Sequence, residues 1–256
     1  MSAIEDVNRA TTLFRKFAFR VSIQTRRIAA ESAPITPETP SVATFIFHGH
    51  AEKHEMRTER NRDGSWNVWM SREEYESLPR AAESFQHEIA IRLMGDCGLR
   101  VGEVLDVEPR HISRMTDGRH YELEVVGGKD TTGEFVDGKQ RETWLPVDVE
   151  ATINRYVQTE EIARNEVLVD VTKRTVQNWV EKAAVGVAEE SGDSDYERVS
   201  THDLRRCWAN HLLVEEHVSP RTVMALGGWS SYDAIEPYLA APTEENIIDS
   251  MSGVAL

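Results

Sequence analysis

Residues 200–213 read STHDLRRCWANHLL. Leu204, Trp208 and Leu212 recur every fourth residue, the period of a helix with one buried face. His202 and Arg205 stand three apart, so imidazole and guanidinium share another face of that helix. Nothing in the apolar period requires a cation there. Downstream, SPRTVMAL has Ser219 as N-cap and Pro220 at the first helical position, and Gly227-Gly228 closes it. GGWSSYDAIEPYL (227–239) follows, with Trp229 and Tyr238 nine residues apart. Nine residues of unbroken helix rotate by about 180°. For both rings to face one site a break must intervene, and Ser230-Ser231 provides it.

Upstream, GLRVGEVLDV (98–107) sets Arg100 just after Gly98 and three residues before Glu103, on a helix with Val101, Val104 and Leu105 inward. Tyr121, Leu123 and Val125 alternate as a strand in HYELEVVGG, and RETWLPV is a second strand, so a β-hairpin is expected. Lys129, in GGKD, ends the first strand, and Lys139 lies on the far side of the hairpin. Three more helices are expected. One follows the N-cap Ser71; one carries Phe85, Ile89, Leu93 and Met94; one carries Val176, Trp179, Val180, Ala183 and Val187. The class is α+β: mainly α with a small antiparallel β-sheet.

Singly, each polar cluster has an ordinary explanation. Arg100 with Glu103 makes a solvated helix ion pair, Lys129 a hairpin-loop residue, and His202 a helix N-terminal residue bonded to backbone. Trp229 and Tyr238 suit a core, and His211 and His217 suit surface or packing positions.

The 256 residues, 40% hydrophobic and 29% charged, suit one or two globular domains. No apolar run approaches the roughly 20 residues that span a bilayer, and the N-terminus lacks a signal-peptide core. Cys97 and Cys207 are too few for a disulfide scaffold or a four-thiolate zinc site. Membrane and secreted classes are set aside, and a cytoplasmic location is expected. A net charge of −15 by itself disfavours a polyanionic partner. Yet only six of the 29 basic residues are lysine. Few lysines and many acids suit the cytoplasm of a salt-in halophile, where a Debye length of about 3 Å at 1 M salt erases long-range repulsion from DNA. Residues 1–55 are expected to be an N-terminal extension. A helix-compatible stretch through about Ala30 precedes a linker with Pro34, Pro37 and Pro40, and the segment is either loosely docked or a basic arm. The main domain spans 56–240, and 241–256 is an acidic tail carrying Ile247 and Ile248.

In order, GLRVGEVLDV, GGKD, HDLRR, LGGW and the terminal PYL resemble the tyrosine recombinase family, the phage-type integrases, over about residues 70–240. The resemblance implies the integrase catalytic-domain fold. It implies site-specific cutting and rejoining of double-stranded DNA through a 3′-phosphotyrosyl intermediate, without metal, ATP or cofactor. Tyr238 is then the nucleophile, with Arg100 and Arg205 on the non-bridging oxygens and Glu103 in support. Lys129 is the general acid, with Lys139 competing; His202 takes or relays the tyrosine proton, and Trp229 offers an indole N–H. Lys139, Arg141 and Arg206 are assigned to DNA contacts.

These residue types fit the chemistry. A guanidinium stays charged and donates two parallel hydrogen bonds. A phenol with a pKa of about 10 needs activation, and a lysine beside two arginines loses its proton more easily. The resemblance further implies a monomer or weak oligomer when free and a homotetramer on two DNA sites, with the tail docked on a neighbouring protomer. Family members usually carry a helical core-binding domain ahead of the catalytic one, so the short preceding segment here implies a reduced DNA clamp. Two other readings remain open at this point: a type IB topoisomerase-like nicking-closing enzyme, and a catalytically weak DNA-binding regulator with the same fold.

Overall fold

A computed structural model describes residues 56–128, 139–239 and 244–252; the expectations for residues 1–55 and for Lys129 fall outside them. Strands β1 (Arg57–Arg60) and β2 (Trp66–Trp69) pair antiparallel, Arg57 opposite Trp69 and Arg60 opposite Trp66. The sequence reading contains no hairpin here, since alternation over four residues is too short a signal. Helix α1 (Arg72–Arg80) starts in a capping box, the Ser71 hydroxyl accepting from the Glu74 N–H while the Glu74 carboxylate accepts from the Ser71 N–H. Helix α2 (Phe85–Gly95) starts at Ser84 and buries Ile89, Leu93 and Met94 completely.

Helix α3 (Val101–Val104) is a single turn, shorter than expected. Asp106 and Val107 bond back three residues rather than four, and Pro109 cannot extend the ladder. Strands β3 (Ile112–Arg114), β4 (Tyr121–Gly128) and β5 (Lys139–Leu145) form one antiparallel sheet with β4 central. Leu123 faces Thr143, Val125 faces Arg141 and Gly128 faces Lys139, with a register shift between Val125 and Gly128. The expected hairpin is therefore present, with β3 added at its edge. Side chains alternate across the sheet, so Arg141, Thr143 and Leu145 share one face. Thr143 and Leu145 on that face are buried, whereas Trp144 on the other is exposed.

Helix α4 (Val147–Thr159), absent from the sequence reading, buries Val149, Ile153 and Tyr156. Helix α5 (Lys173–Ser191) runs from the Thr172 cap to Gly192. Helix α6 (Thr201–Asn210) opens with a Ser200–Asp203 capping box and passes into a π-helical turn, His211–Glu215. Helix α7 (Pro220–Gly227) begins at Pro220, as the sequence predicts, although Ser219 makes no side-chain cap bond. Extended Ser231 then separates it from helix α8 (Tyr232–Ile235) and a 3₁₀ turn, Glu236–Tyr238. Helix α9 (Glu244–Ser252) ends the described chain.

Burial of each large aliphatic side chain contributes about 1.5–3 kcal/mol. The main core draws them from β2, α1, α2, the three-stranded sheet, α4 and α5. A smaller cluster of Trp208, Ala209, Val223, Trp229 and Ile235 lies against Tyr238. It fixes the turns that carry Trp229 and Tyr238 to α6. The expected class, mainly α with a small antiparallel sheet, is the one observed.

Candidate active site

Arg205 organises the site. It sits within α6 and is 1% exposed. Its Nη1 donates to the Gly98 carbonyl, its Nη2 donates to the Gly227 carbonyl at 2.6 Å, and the guanidinium carbon lies 4.1 Å from the Trp229 ring centre. One side chain thus joins the turn before Arg100 to the turn before Trp229. Gly98 is required where it stands: its φ is +70°, and a Cβ would lie 2.5 Å from the Trp208 ring. Burial, then repulsion from Arg100 and Arg141, pulls the Arg205 pKa down, and Glu103 only partly offsets this. Among the described residues no carboxylate lies in ion-pair range of Arg205, and its buried Nε has no hydrogen-bond partner. An interior cation without a counter-ion costs several kcal/mol.

Arg100 caps α3 in an extended conformation and is about one-third exposed. Its Nη1 donates to Glu103 Oε1 at 2.7 Å, and its backbone N–H donates to Glu103 Oε2 at 2.8 Å. Arg141 fills the rest of that carboxylate, Nη1 to Oε1 at 2.9 Å and Nη2 to Oε2 at 2.8 Å. Burial alone would raise the Glu103 pKa; the bonds and charge of Arg141, followed by those of Arg100, hold it at about 2.

Tyr238 is half-buried. Its ring meets Trp229 edge-on at 5.1 Å and His202 at 4.9 Å between centres. Its backbone carbonyl accepts from Trp69 Nε1 at 3.0 Å, so β2 holds the terminal turn in place. His202 is exposed at the rim of the cluster. Partial burial of its ring, then the charge of Arg206, lowers its pKa below the usual value; Asp203 opposes this, while Arg205 and Arg100 reinforce it. The imidazole is therefore neutral at pH 7 and can accept a proton.

Ring contacts join His202, Tyr238, Trp229 and Arg205, and the Gly98 turn and mutual charge effects bring Arg100 and Glu103 to the same cluster. Lys139 opens β5 opposite Gly128. Arg141 and Arg206, expected as DNA contacts, have side chains 7% and 6% exposed and are paired with carboxylates. Strand alternation turns Arg141 inward with Thr143 and Leu145. Arg206 donates to Asp203 Oδ1 and to Asn67 Oδ1, the latter at 2.9 Å. Trp69 and Asp203 are supporting residues that the sequence reading passes over. The Ser200-to-Asp203 spacing of a capping box was the available signal for Asp203; Trp69 had none. Among the described residues, no group of three or more His, Cys, Asp or Glu side chains is placed to hold a metal ion. None of their helices is long and apolar enough to cross a membrane.

A mainly helical domain that sets Arg, His-x-x-Arg, Trp and a terminal-turn Tyr around one buried guanidinium has the fold of tyrosine recombinase catalytic domains. The chain belongs to the phage integrase family, whose model matches residues 68–245. Among solved structures it is similar to XerA recombinase, with a TM-score of 0.56 and 15% identity over 72% of this chain and 64% of that one. It is also similar to the XerH site-specific recombinase bound to palindromic difH substrate, with a TM-score of 0.55 and 16% identity over 72% and 52%. A third is the Tn1549 transposon integrase in complex with transposon right end DNA, with a TM-score of 0.55 and 14% identity over 74% and 66%. The chain thus spans less than two thirds of the length of each of these. At such identities the likeness is one of fold. No curated protein sequence matches the chain.

Proposed function

We propose that the protein is a site-specific DNA recombinase that cuts and rejoins double-stranded DNA through Tyr238, with 56–240 as its catalytic domain. Arg205 carries this reading: a cation this deeply buried, with no carboxylate beside it among the described residues and resting on Trp229, which in turn meets Tyr238, suits a phosphodiester as its missing anion. The Tyr238 oxygen attacks phosphorus, the P–O bond to tyrosine forms, and the bond to the 5′-oxygen breaks. The phenolic proton passes to neutral His202. The leaving oxygen takes its proton from Lys129 or Lys139. Arg100 and Arg205 stabilise charge that grows on the non-bridging oxygens, an effect largest in the transition state. Reversal of these steps with a new 5′-hydroxyl rejoins the strand, so no ATP is consumed.

The difH substrate bound by XerH and the transposon right end DNA bound by the Tn1549 integrase support DNA as the substrate. Helix α9 exposes Ile247, Ile248 and Met251. This apolar face supports the tail as a docking segment in a homotetramer assembled on two DNA sites in the cytoplasm.

The test begins with a duplex recovered from a randomised pool by binding to the protein, then prepared as a panel of nicked suicide substrates. The wild type is expected to form a covalent adduct that Tyr238→Phe abolishes. No adduct at any salt up to molar KCl contradicts the proposal and indicates a DNA-binding regulator. Relaxation of supercoiled DNA without site preference contradicts site-specific recombination and indicates a topoisomerase-like enzyme.

A further inference from the structure

We infer that Arg141 is a positioning residue that keeps Arg100 available to the phosphate by saturating Glu103; this rests on the recombinase reading above. The Arg141 side chain is 7% exposed. Its two Nη atoms take both oxygens of Glu103, and its Nε donates to the Leu226 carbonyl at 2.8 Å. Its stem also supports the following turn. Gly228 has φ +69°, and a Cβ there would lie 2.8 Å from Arg141 Cδ. A single side chain therefore ties β5 to the helix turn that carries Arg100 and to the end of α7, from which Trp229 projects.

The charges show what this clamp does. Glu103 beside Arg100 alone forms a neutral pair, and the carboxylate competes with a phosphate for every N–H that Arg100 offers. With Arg141 present, the three groups carry one net positive charge. Arg141 fills one contact on each carboxylate oxygen, and Arg100 contributes only Nη1 and its backbone N–H. The remaining edge of the Arg100 guanidinium, on a side chain 35% exposed, is left for an incoming anion. Lysine in place of Arg141 keeps the charge but cannot reach both Glu103 oxygens and the Leu226 carbonyl together.

The test uses the full chain with Arg141→Met, Arg141→Lys, Glu103→Gln and the double variant E103Q/R141M. Single-turnover adduct formation on the selected nicked duplex is measured beside duplex affinity and Tm. Arg141→Met is expected to slow adduct formation by about 100-fold while changing Kd by less than about threefold. Arg141→Lys is expected to be intermediate. E103Q/R141M is expected to react at least about tenfold faster than Arg141→Met, because the carboxylate that captures Arg100 is gone. A rate for Arg141→Met within threefold of wild type, or proportionate loss of rate and affinity, overturns the inference. So does a double variant showing the product of the two single losses. If Arg141→Met does not fold, Arg141→Lys at the wild-type rate overturns it. A wild type that forms no adduct defeats the recombinase reading; a wild-type adduct with unaffected Arg141 variants defeats only this inference.

Discussion

Replacing Arg205 with methionine separates what the residue does for folding from what it does for chemistry. On the folding side, the substitution removes a cation that is 1% exposed with no carboxylate in range among the described residues, relieving a desolvation cost of several kcal/mol. Against this, the carbonyls of Gly98 and Gly227 lose their donor, at about 1–3 kcal/mol each. The methionine sulfur keeps a contact with the Trp229 ring, which limits the loss of packing. The terms nearly cancel. For a domain of this size each kcal/mol moves Tm by about 2–4 °C, so Tm stays within a few degrees of wild type.

On the chemical side, loss of one preorganised transition-state donor costs about 3–4 kcal/mol, or 10²–10³ in cleavage rate. Arg206→Met, one residue along, is the matched contrast. It strands Asp203, which is 0% exposed, without its counter-ion. Ser200 and Val68 still donate to that carboxylate, so the loss lies at the lower end of roughly 3–5 kcal/mol and Tm falls by about 6–12 °C. Thermal unfolding and single-turnover adduct formation on all three proteins decide the matter. Equal destabilisation by the two substitutions, or cleavage at the wild-type rate in Arg205→Met, refutes the reasoning.

Three further perturbations probe the cluster. The folded-state pKa of Glu103, about 2, lies below its ordinary 4.5, so its contribution is fully present above pH 4.5 and is lost as pH falls toward 2. That contribution amounts to about 3 kcal/mol, and Glu103→Gln should remove this portion of the acid-unfolding curve. For His202 in the DNA-free protein, NMR titration should give a midpoint below the usual value of about 6.5. Its depressed pKa makes stability rise with pH up to about 6.5 and fall as pH drops through that window; a raised midpoint contradicts the geometry. Trp69→Phe keeps the ring but loses the bond to the Tyr238 carbonyl. Unfolding and adduct assays should show a loss of about 0.5–1.5 kcal/mol, seen as a roughly 2–12-fold slower cleavage with unchanged duplex affinity.

The parts of the fold legible in the sequence are those with a repeated or capped pattern. Leu204 and Trp208 mark α6 by their period, Tyr121, Leu123 and Val125 mark β4 by alternation, and Gly227-Gly228 marks the end of α7, after which extended Ser231 caps α8. The β1–β2 hairpin leaves almost no periodic trace because each strand has only four residues. The candidate site was legible as a set of residue types in order. Its electrostatic wiring was not. A cation in a sequence signals charge, and burial depends on which carboxylate the fold brings near. Arg141 and Arg206 therefore read as surface contacts until Glu103 and Asp203 are seen beside them. Arg205 is the reverse case: sequence chemistry marks it as a candidate, but only the packing shows that it has no counter-ion among the described residues.

The terminal segment contains a second hydroxyl of the same kind, Tyr232, which is 51% exposed and more accessible than Tyr238. The most direct measurement is the site of covalent attachment: trap the adduct, digest the protein, and locate the nucleotide by mass spectrometry. Attachment to the Tyr238 phenolic oxygen through a 3′-phosphate is the predicted result. A nucleotide on Tyr232, on a serine, or joined through a 5′-phosphate contradicts the account.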